Sequence, residues 1–320
     1  MSAPTLKAPF PYFGGKSRIA GAIWERFGQV QNYVEPFAGS LAVLLACPCP
    51  GHTETVNDAD GLLCNFWRAL RADPDAVAEH ADYPVSELDL HARHRWLVAQ
   101  RADAERLLAD PEWYDPKAAG WWVWGKSTAI GNNWERQYTG AMPHLGGYSP
   151  FQGIHALDNV HAYLRALSAR LRRTRVTCGD FARVLGPSVT WRHGLTAVFL
   201  DPPYDLTQRA SVYAVETDAA HRARAWAIEN GDNPLLRIAL CGYDGEHAMP
   251  DGWKPIRWKA AGGYGSQGEG RGRENAAREV VWFSPHCLNP AELARDAMTR
   301  PIRIAASDLA GTLFDESEAA

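Results

Sequence analysis

The sequence lacks any long hydrophobic run: its most apolar stretch, residues 36–46, is short, broken by glycine and too brief to cross a bilayer. It also opens without a basic segment leading into an apolar one, so it reads as a cytoplasmic protein with no membrane contact. Cysteine is sparse, with six in 320 residues. The six (Cys47, Cys49, Cys64, Cys178, Cys241 and Cys287) are scattered, and several sit in apolar patterns, where thiols behave as small hydrophobes rather than as a disulfide framework. Cys47-Pro-Cys49-Pro-Gly-His52 has no second ligand pair at finger spacing, so no metal is expected. An excess of positive charge is missing too: the formal charge is −4, and any nucleic-acid contact must rest on local clusters. The full G-x-G-x-x-G fingerprint is absent from the first candidate turn, which disfavours a nicotinamide-dependent dehydrogenase.

What is present, 46% hydrophobic and 22% charged residues, suffices for a sizeable core in one large or two modest domains. Strand-like residues 33–36 lead through Phe37-Ala38-Gly39-Ser40 into an apolar helical stretch, 41–46. A second unit follows, strand 54–57 ending at Asp58, then Leu62, Leu63, Phe66, Trp67 and Leu70 at helical spacing. From about residue 74 to 155 the alternation stops. Charged helical residues 88–108 and an aromatic segment rich in Gly and Asn read there as an inserted, mainly helical domain. Alternation then resumes with helix 156–171, strand 176–178, strand 196–200, helix 218–229 and strand 235–241. An antiparallel pair, 253–259 and 279–283, closes the pattern. The whole predicts a doubly wound α/β sheet with helices on both faces.

The apolar run Thr196–Leu200 ends in Asp201-Pro202-Pro203-Tyr204. Two prolines remove two backbone donors and hold the chain extended, so a carboxylate, a free carbonyl and an aromatic ring can face one pocket. That set suits the alkylation of an exocyclic amino group on an extruded base: two acceptors take its N–H bonds while the ring stacks. The tetrapeptide alone also fits a plain strand-ending turn. Gly39, in the first βα turn, lets backbone approach a ligand, and Asp58 lies where an acid would accept ribose hydroxyls. Asp180, in Cys178-Gly179-Asp180-Phe181, is placed to reach an adenine amino group. Asp58 and Asp180 equally fit helix-capping roles. Gly14-Gly15-Lys16 could bring Lys16 to a carboxylate with Tyr12 as an apolar wall, or form a turn with a solvated lysine. Arg165, Arg170, Arg172, Arg173 and Arg175 form a basic cluster that suits phosphates or a solvated helix face.

Taken in order, Tyr12-Phe-Gly-Gly-Lys16, Val34-Glu-Pro-Phe-Ala-Gly-Ser40, Asp58, Gly179-Asp180-Phe181 and Asp201-Pro-Pro-Tyr204 resemble the Dam-like (alpha-group) adenine-specific DNA methyltransferases. Tyr213 with His221 and Ala225, and residues 263–283, extend the likeness to about two-thirds of the chain. The resemblance implies a Rossmann-like methyltransferase sheet interrupted by a target-recognition domain. Its parts would be a first catalytic segment 1–73, an insert 74–155, a second catalytic segment 156–286 and a tail 287–320. It implies S-adenosylmethionine bound by Tyr12, Lys16, Glu35, Phe37, Gly39, Asp58, Asp180, Phe181 and Asp201. Asp201, Pro202, Pro203 and Tyr204 would hold an adenine flipped from double-stranded DNA, in a monomer or homodimer and without a metal. Position 41 is Leu where many relatives have a second glycine, which bears on cofactor affinity.

Within the insert, Trp121-Trp122-Val123-Trp124-Gly125-Lys126 and Gly131-Asn132-Asn133-Trp134-Glu135-Arg136 interleave aromatics with groups able to read base edges. Lys126, Asn132, Asn133 and Arg136, with Arg271 and Arg273 in a glycine-rich loop, are therefore expected to touch DNA, while the tryptophans also suit the core of a small insert. Cytosine's exocyclic amine, RNA, and a DNA-binding module without turnover remain alternatives.

Overall fold

This computed structural model describes residues 6–12, 15–48, 52–100, 104–110, 112–129, 134, 142–143, 153–203, 219–258 and 279–290. Short runs bounded by turns form the strands: β1 (Asn32–Glu35), β2 (Thr53–Asp58), β3 (Thr174–Cys178), β4 (Thr196–Leu200), β5 (Leu236–Tyr243), β6 (Lys254–Arg257) and β7 (Glu279–Phe283). They make one sheet in the order β3-β2-β1-β4-β5-β7-β6. The first five strands are mutually parallel, and β7 runs antiparallel between β5 and β6. The sheet is mixed α/β and Rossmann-like, as expected. The chain runs outward through β1, β2 and β3, then returns to the other side of β1 as β4. This reversal opens a crevice beyond the carboxyl ends of β1 and β4, where ligands bind in such sheets.

Strand periodicity divides the core in two. Tyr33, Ala197, Phe199, Ala239, Cys241, Val281 and Phe283 enter one buried cluster, while their neighbours Val34, Val198, Leu200, Ile238, Leu240, Val280 and Trp282 enter another. Successive side chains point to opposite faces, so a strand apolar on both requires cover on both. On one face lie α1 (Ala20–Phe27), α2 (Ala42–Leu45), α3 (Gly61–Ala72) and α8 (Val160–Leu171). The other is covered by α9 (Ala219–Asn230) and the short turn Phe181–Val184.

Among the described residues between α3 and α8 stand the helices α4 (Pro74–Ala81), α5 (Glu87–Gln100), α6 (Ala104–Ala109) and α7 (Pro116–Thr128). Asp73 and Asp115 accept from Ala76 N and Ala118 N, capping α4 and α7, each with proline in the first turn. Gly120 lets α7 lie against α4, since a Cβ there would sit 2.6 Å from the Val77 carbonyl oxygen. Trp122 and Trp124 are buried, and Trp122 joins an aromatic group with Phe10 and Phe66 at centroid separations of 4.8 and 5.6 Å. These tryptophans are core residues continuous with the sheet's own cluster. Among the described residues no helix is long and apolar enough to cross a membrane. A second unit, residues 288–320, is described only at 288–290.

The basic cluster is divided. Arg170 donates to buried Glu54 through Nη1 and Nη2 at 2.8 and 2.7 Å, and Thr174 Oγ1 donates to the same carboxylate at 2.6 Å. Arg165 pairs with Asp75 at 2.6 Å. Arg165 is nonetheless exposed, as are Arg172, Arg173 and Arg175. Arg170 is thus a structural residue at the amino ends of the strands. Replacing Arg170 with Ala should cost about 3–5 kcal/mol by leaving a buried carboxylate without its main partner. Denaturant unfolding checks this, and a loss below about 1 kcal/mol would count against the pairing's role.

Candidate active site

The crevice is assembled from strand ends that one side chain ties together. Asn57, buried at the end of β2, donates from Nδ2 to the carbonyls of Pro36 and Gly179 at 3.1 and 2.9 Å, while Thr177 Oγ1 donates to its Oδ1 at 2.9 Å. The loops leaving β1, β2 and β3 are thereby held at a common level. Asp201 leaves β4 beside them, with Pro202 buried behind it and Pro203 partly exposed.

Lys16 reaches into this crevice from the amino-terminal loop. Gly15 N donates to Tyr12 O at 3.0 Å, turning the chain so that Lys16 points inward, where it is only 2% exposed. Its Nζ lies 2.9 Å from each oxygen of Asp201 and 3.5 Å from Glu279 Oε2 at the start of β7. The Trp258 ring lies 5.9 Å away. Burial pulls the ammonium's pKa down, but the charges of Asp201 and Glu279 outweigh it and hold Lys16 well above its ordinary value. The solvated-lysine reading therefore fails, and the carboxylate Lys16 meets is the chain's own Asp201. The Cys241 thiol, in hydrogen-bond contact with Asp201, is pushed up mainly by burial. Glu35, at the end of β1, is also pushed well up, by burial first and then by the Asp201 charge. Tyr33 Oη donates to it at 2.9 Å and opposes the shift.

Gly39 adopts φ +46° and donates its N–H to Asp58 Oδ2 at 3.0 Å, and the Tyr12 ring covers it so closely that a Cβ would lie 2.8 Å from Cε1. Leu41 has φ 58° and ψ 26°, the one non-glycine among the described residues with positive φ. The backbone thus keeps the left-handed conformation that glycine would adopt without strain. Its cost with a β-carbon is about 1–2 kcal/mol, and burial of the leucine side chain, 0% exposed, offsets it.

Asp58 is not the cap of the helix that follows. Asp60 takes that part, accepting from Leu62 N and Leu63 N. Asp58 instead accepts backbone N–H bonds from Gly39 and, through Oδ1, from Asp60 at 3.0 Å. Burial pushes its carboxyl up to about 6, against these donors. Asp180 does cap: its Oδ1 accepts from Ala182 N at 2.9 Å at the turn Phe181–Val184. Arg222 of α9 also grips both its oxygens at 3.0 Å and holds its carboxyl below the ordinary range. The same guanidinium lies 4.9 Å over Phe181, whose ring meets Phe37 at 4.8 Å.

An acid and two rings therefore stand beyond β3, an acid and a glycine turn beyond β2 and β1, and a lysine-clamped carboxylate beyond β4. Lys126 lies in the last turn of α7 with Nζ 5.3 Å over the Trp122 ring. Tyr204, Asn132, Asn133, Arg136, Arg271 and Arg273 lie outside the described residues. Glu279 and Arg222 were not among the expected site residues. A lone acid opening an otherwise apolar buried strand, Glu279-Val280-Val281, is the one signal that could have flagged the former.

Residues 12–102 match the family model described as D12 class N6 adenine-specific DNA methyltransferase. That span contains Tyr12, Lys16, Glu35, Gly39 and Asp58, the amino-terminal half of the crevice. No curated protein matches the chain.

The turn at position 41 has a measurable signature. Leu41→Ala and Leu41→Gly should both destabilise the fold by about 2–5 kcal/mol through the lost side chain. The glycine variant should be the more stable by about 1 kcal/mol, the reverse of their order in a helix interior. Urea unfolding of both variants checks this, and an alanine variant equal to or more stable than the glycine one would contradict the strained turn.

Proposed function

We propose that this chain, whose residues 12–102 match the family model of the D12 class N6 adenine-specific DNA methyltransferases, moves a methyl group from S-adenosylmethionine to N6 of an adenine flipped out of duplex DNA. The observation that carries the reading is the clamp of buried Lys16 on both oxygens of Asp201, at the reversal of the sheet.

The donor set in the crevice fits an adenosyl group. Asp58 has lone pairs for ribose hydroxyls beyond those taken by Gly39 and Asp60. Asp180 can accept from an exocyclic amine, and Phe37 and Phe181 offer ring faces to a purine. Tyr12 closes the glycine turn, and Lys16 and Glu35 line the wall beside Asp201. When bound, S-adenosylmethionine supplies an electrophilic methyl group on a sulfonium.

The chain's own residues do the rest. In a duplex the adenine amine is stacked and paired, so the base has to leave the helix before the crevice can take it. An Asp201 oxygen and the Pro202 carbonyl accept the two N–H bonds of the amine, and Tyr204 stacks on the base. Lys16 and Glu279 fix the orientation of Asp201, and each oxygen retains a lone pair for an N–H donor. Positive charge grows on the amine nitrogen as it bonds carbon, so the two acceptor bonds strengthen and stabilise the transition state more than the ground state. The surplus proton leaves N6 for Asp201 or for water. Specificity is assigned to the insert, 74–155, with Lys126, Asn132, Asn133 and Arg136 facing DNA and Arg271 and Arg273 joining them from the second catalytic segment.

Incubating the protein with methyl-labelled S-adenosylmethionine and duplex DNA should yield N6-methyladenine. Asp201→Ala should abolish transfer while donor binding is weakened but detectable, and full activity in that variant would refute the assignment. Asp58 supplies an independent pH test. Its folded pKa is about 6 against an ordinary 3.8, so the native state holds this proton more tightly than the unfolded chain. Its contribution to stability is therefore present below pH 3.8 and declines as pH rises through about 6, by about 3 kcal/mol in all. Donor affinity should move the other way, weakening as pH falls through about 6 because a protonated acid has less acceptor capacity. Asp58→Asn should flatten both profiles, and an unchanged calorimetric pH profile in that variant would exclude this role.

A further inference from the structure

Cys64 and Cys178 form a dithiol immediately behind the candidate cofactor acids. Cys64 lies in the first turns of α3, with Sγ 3.5 Å from the Asp58 carbonyl oxygen and 3.8 Å from that of Thr177. Cys178 ends β3 directly across the ladder from Asp58 and follows Thr177, whose carbonyl Cys64 approaches, so the two thiols are neighbours. Both are free thiols, Cys64 buried and Cys178 half-buried. The Asp58 carbonyl that Cys64 approaches also accepts the Gly179 N–H at 2.8 Å, and Gly179 precedes Asp180. The pair therefore sits under both acids at once.

We infer that Cys64 and Cys178 form a reversible disulfide on exposure to a peroxide, and that the bond displaces Asp58 and so weakens the donor pocket. The two sulfurs play different parts. The neighbouring Cys64 thiol lowers the Cys178 pKa, and Cys178 is the accessible member. The Cys64 thiol is raised well above its ordinary range, first by the neighbouring Cys178 and then by burial. Deprotonated Cys178 attacks one peroxide oxygen and the O–O bond breaks. Sulfur is oxidised to a sulfenic acid, and the departing hydroxide takes a proton to become water. Cys64 then attacks that sulfur, loses its proton and expels the second water as the S–S bond forms. Two thiols and one hydrogen peroxide thus give one disulfide and two waters. A disulfide is about 2.0 Å long, well inside the reach of a non-bonded thiol pair, so the sulfurs must close on each other. That movement draws the start of α3 onto the end of β3 and takes Cys64 from the Asp58 carbonyl.

Because the donor's identity rests on the proposed function, the test separates the two. The full chain is treated with hydrogen peroxide, digested without reduction and mapped by mass spectrometry. Hydrogen exchange then follows the Gly39 and Gly179 amides, both of which donate to Asp58, and calorimetry follows S-adenosylmethionine binding. The expected result is a peptide pair joined through Cys64 and Cys178, faster exchange at both amides, and affinity lowered by about tenfold or more and restored by dithiothreitol. Cys64→Ala should abolish all three responses, and Cys178→Ala, at a half-buried position, serves if the first variant does not fold. Absence of the joined peptides, or their presence with unchanged exchange, overturns the inference. Failure of the reduced protein to bind S-adenosylmethionine would instead sink the functional reading, and exchange would still decide the disulfide's effect.

Discussion

The buried pairing of Lys16 with Asp201 and Glu279 is the constraint on which the rest of the crevice depends. Taking these ions out of water costs several kcal/mol each, and their attraction offsets that only in close, well-satisfied geometry. Here the ammonium contacts both oxygens of Asp201 and approaches Glu279, so three segments distant in sequence are fixed to one point. The amino-terminal loop, the end of β4 and the start of β7 cannot drift apart without exposing an unpaired buried charge. In the proposed reaction this would serve Asp201, because its orientation is set before a substrate arrives.

The two ends of the sheet treat acids differently, and the difference separates structure from chemistry. At the amino ends Glu54 has Arg170 and Thr174 as close donors, and its capacity is committed to the fold. At the carboxyl ends Asp58 has only backbone N–H partners, which do not offset its burial, so its carboxyl is raised to about 6. Asp180 is paired, but with a partly exposed arginine, a contact worth about 1 kcal/mol or less. Glu35 is buried beside Asp201 with a tyrosine hydroxyl in place of a cation. Acids held cheaply, or at a cost, cluster where the strand order reverses, while the fully satisfied one lies at the opposite end.

Much of this could be read from residue order alone because its causes are local. The run Thr196–Leu200 is wholly apolar and ends at a double proline, so its place as a central strand with an extended carboxyl exit follows from composition. Alternate burial of β4, β5 and β7 on two faces likewise follows from period-two packing against helices on both sides. What escaped was set by long-range pairing. Arg170 belongs to a basic run on a helix, and nothing nearby reveals that its partner is Glu54, 116 residues away. Asp58 and Asp60 are acids two residues apart at a helix start, and only the geometry shows which caps and which faces the crevice. Tryptophans 122 and 124 stand among polar groups suited to base edges, yet helix packing turns them into the core.

Leu41 shows how such a crevice can depart from its pattern without losing its shape. A left-handed residue is needed between the Gly39 turn and α2, and glycine would fill it without strain. Leucine fills it because the position also faces the buried core, where its side chain contributes about as much as the backbone strain costs. The two demands are separable: backbone conformation serves the turn that presents Gly39 to Asp58, and side-chain volume serves the packing beneath it. Strain of this kind persists only where surrounding structure over-determines the conformation. Here the hydrogen bonds from Gly39 to Asp58 and from Leu41 to the Ala38 carbonyl supply that determination. Leucine in place of glycine therefore changes what the turn costs and leaves its backbone conformation intact.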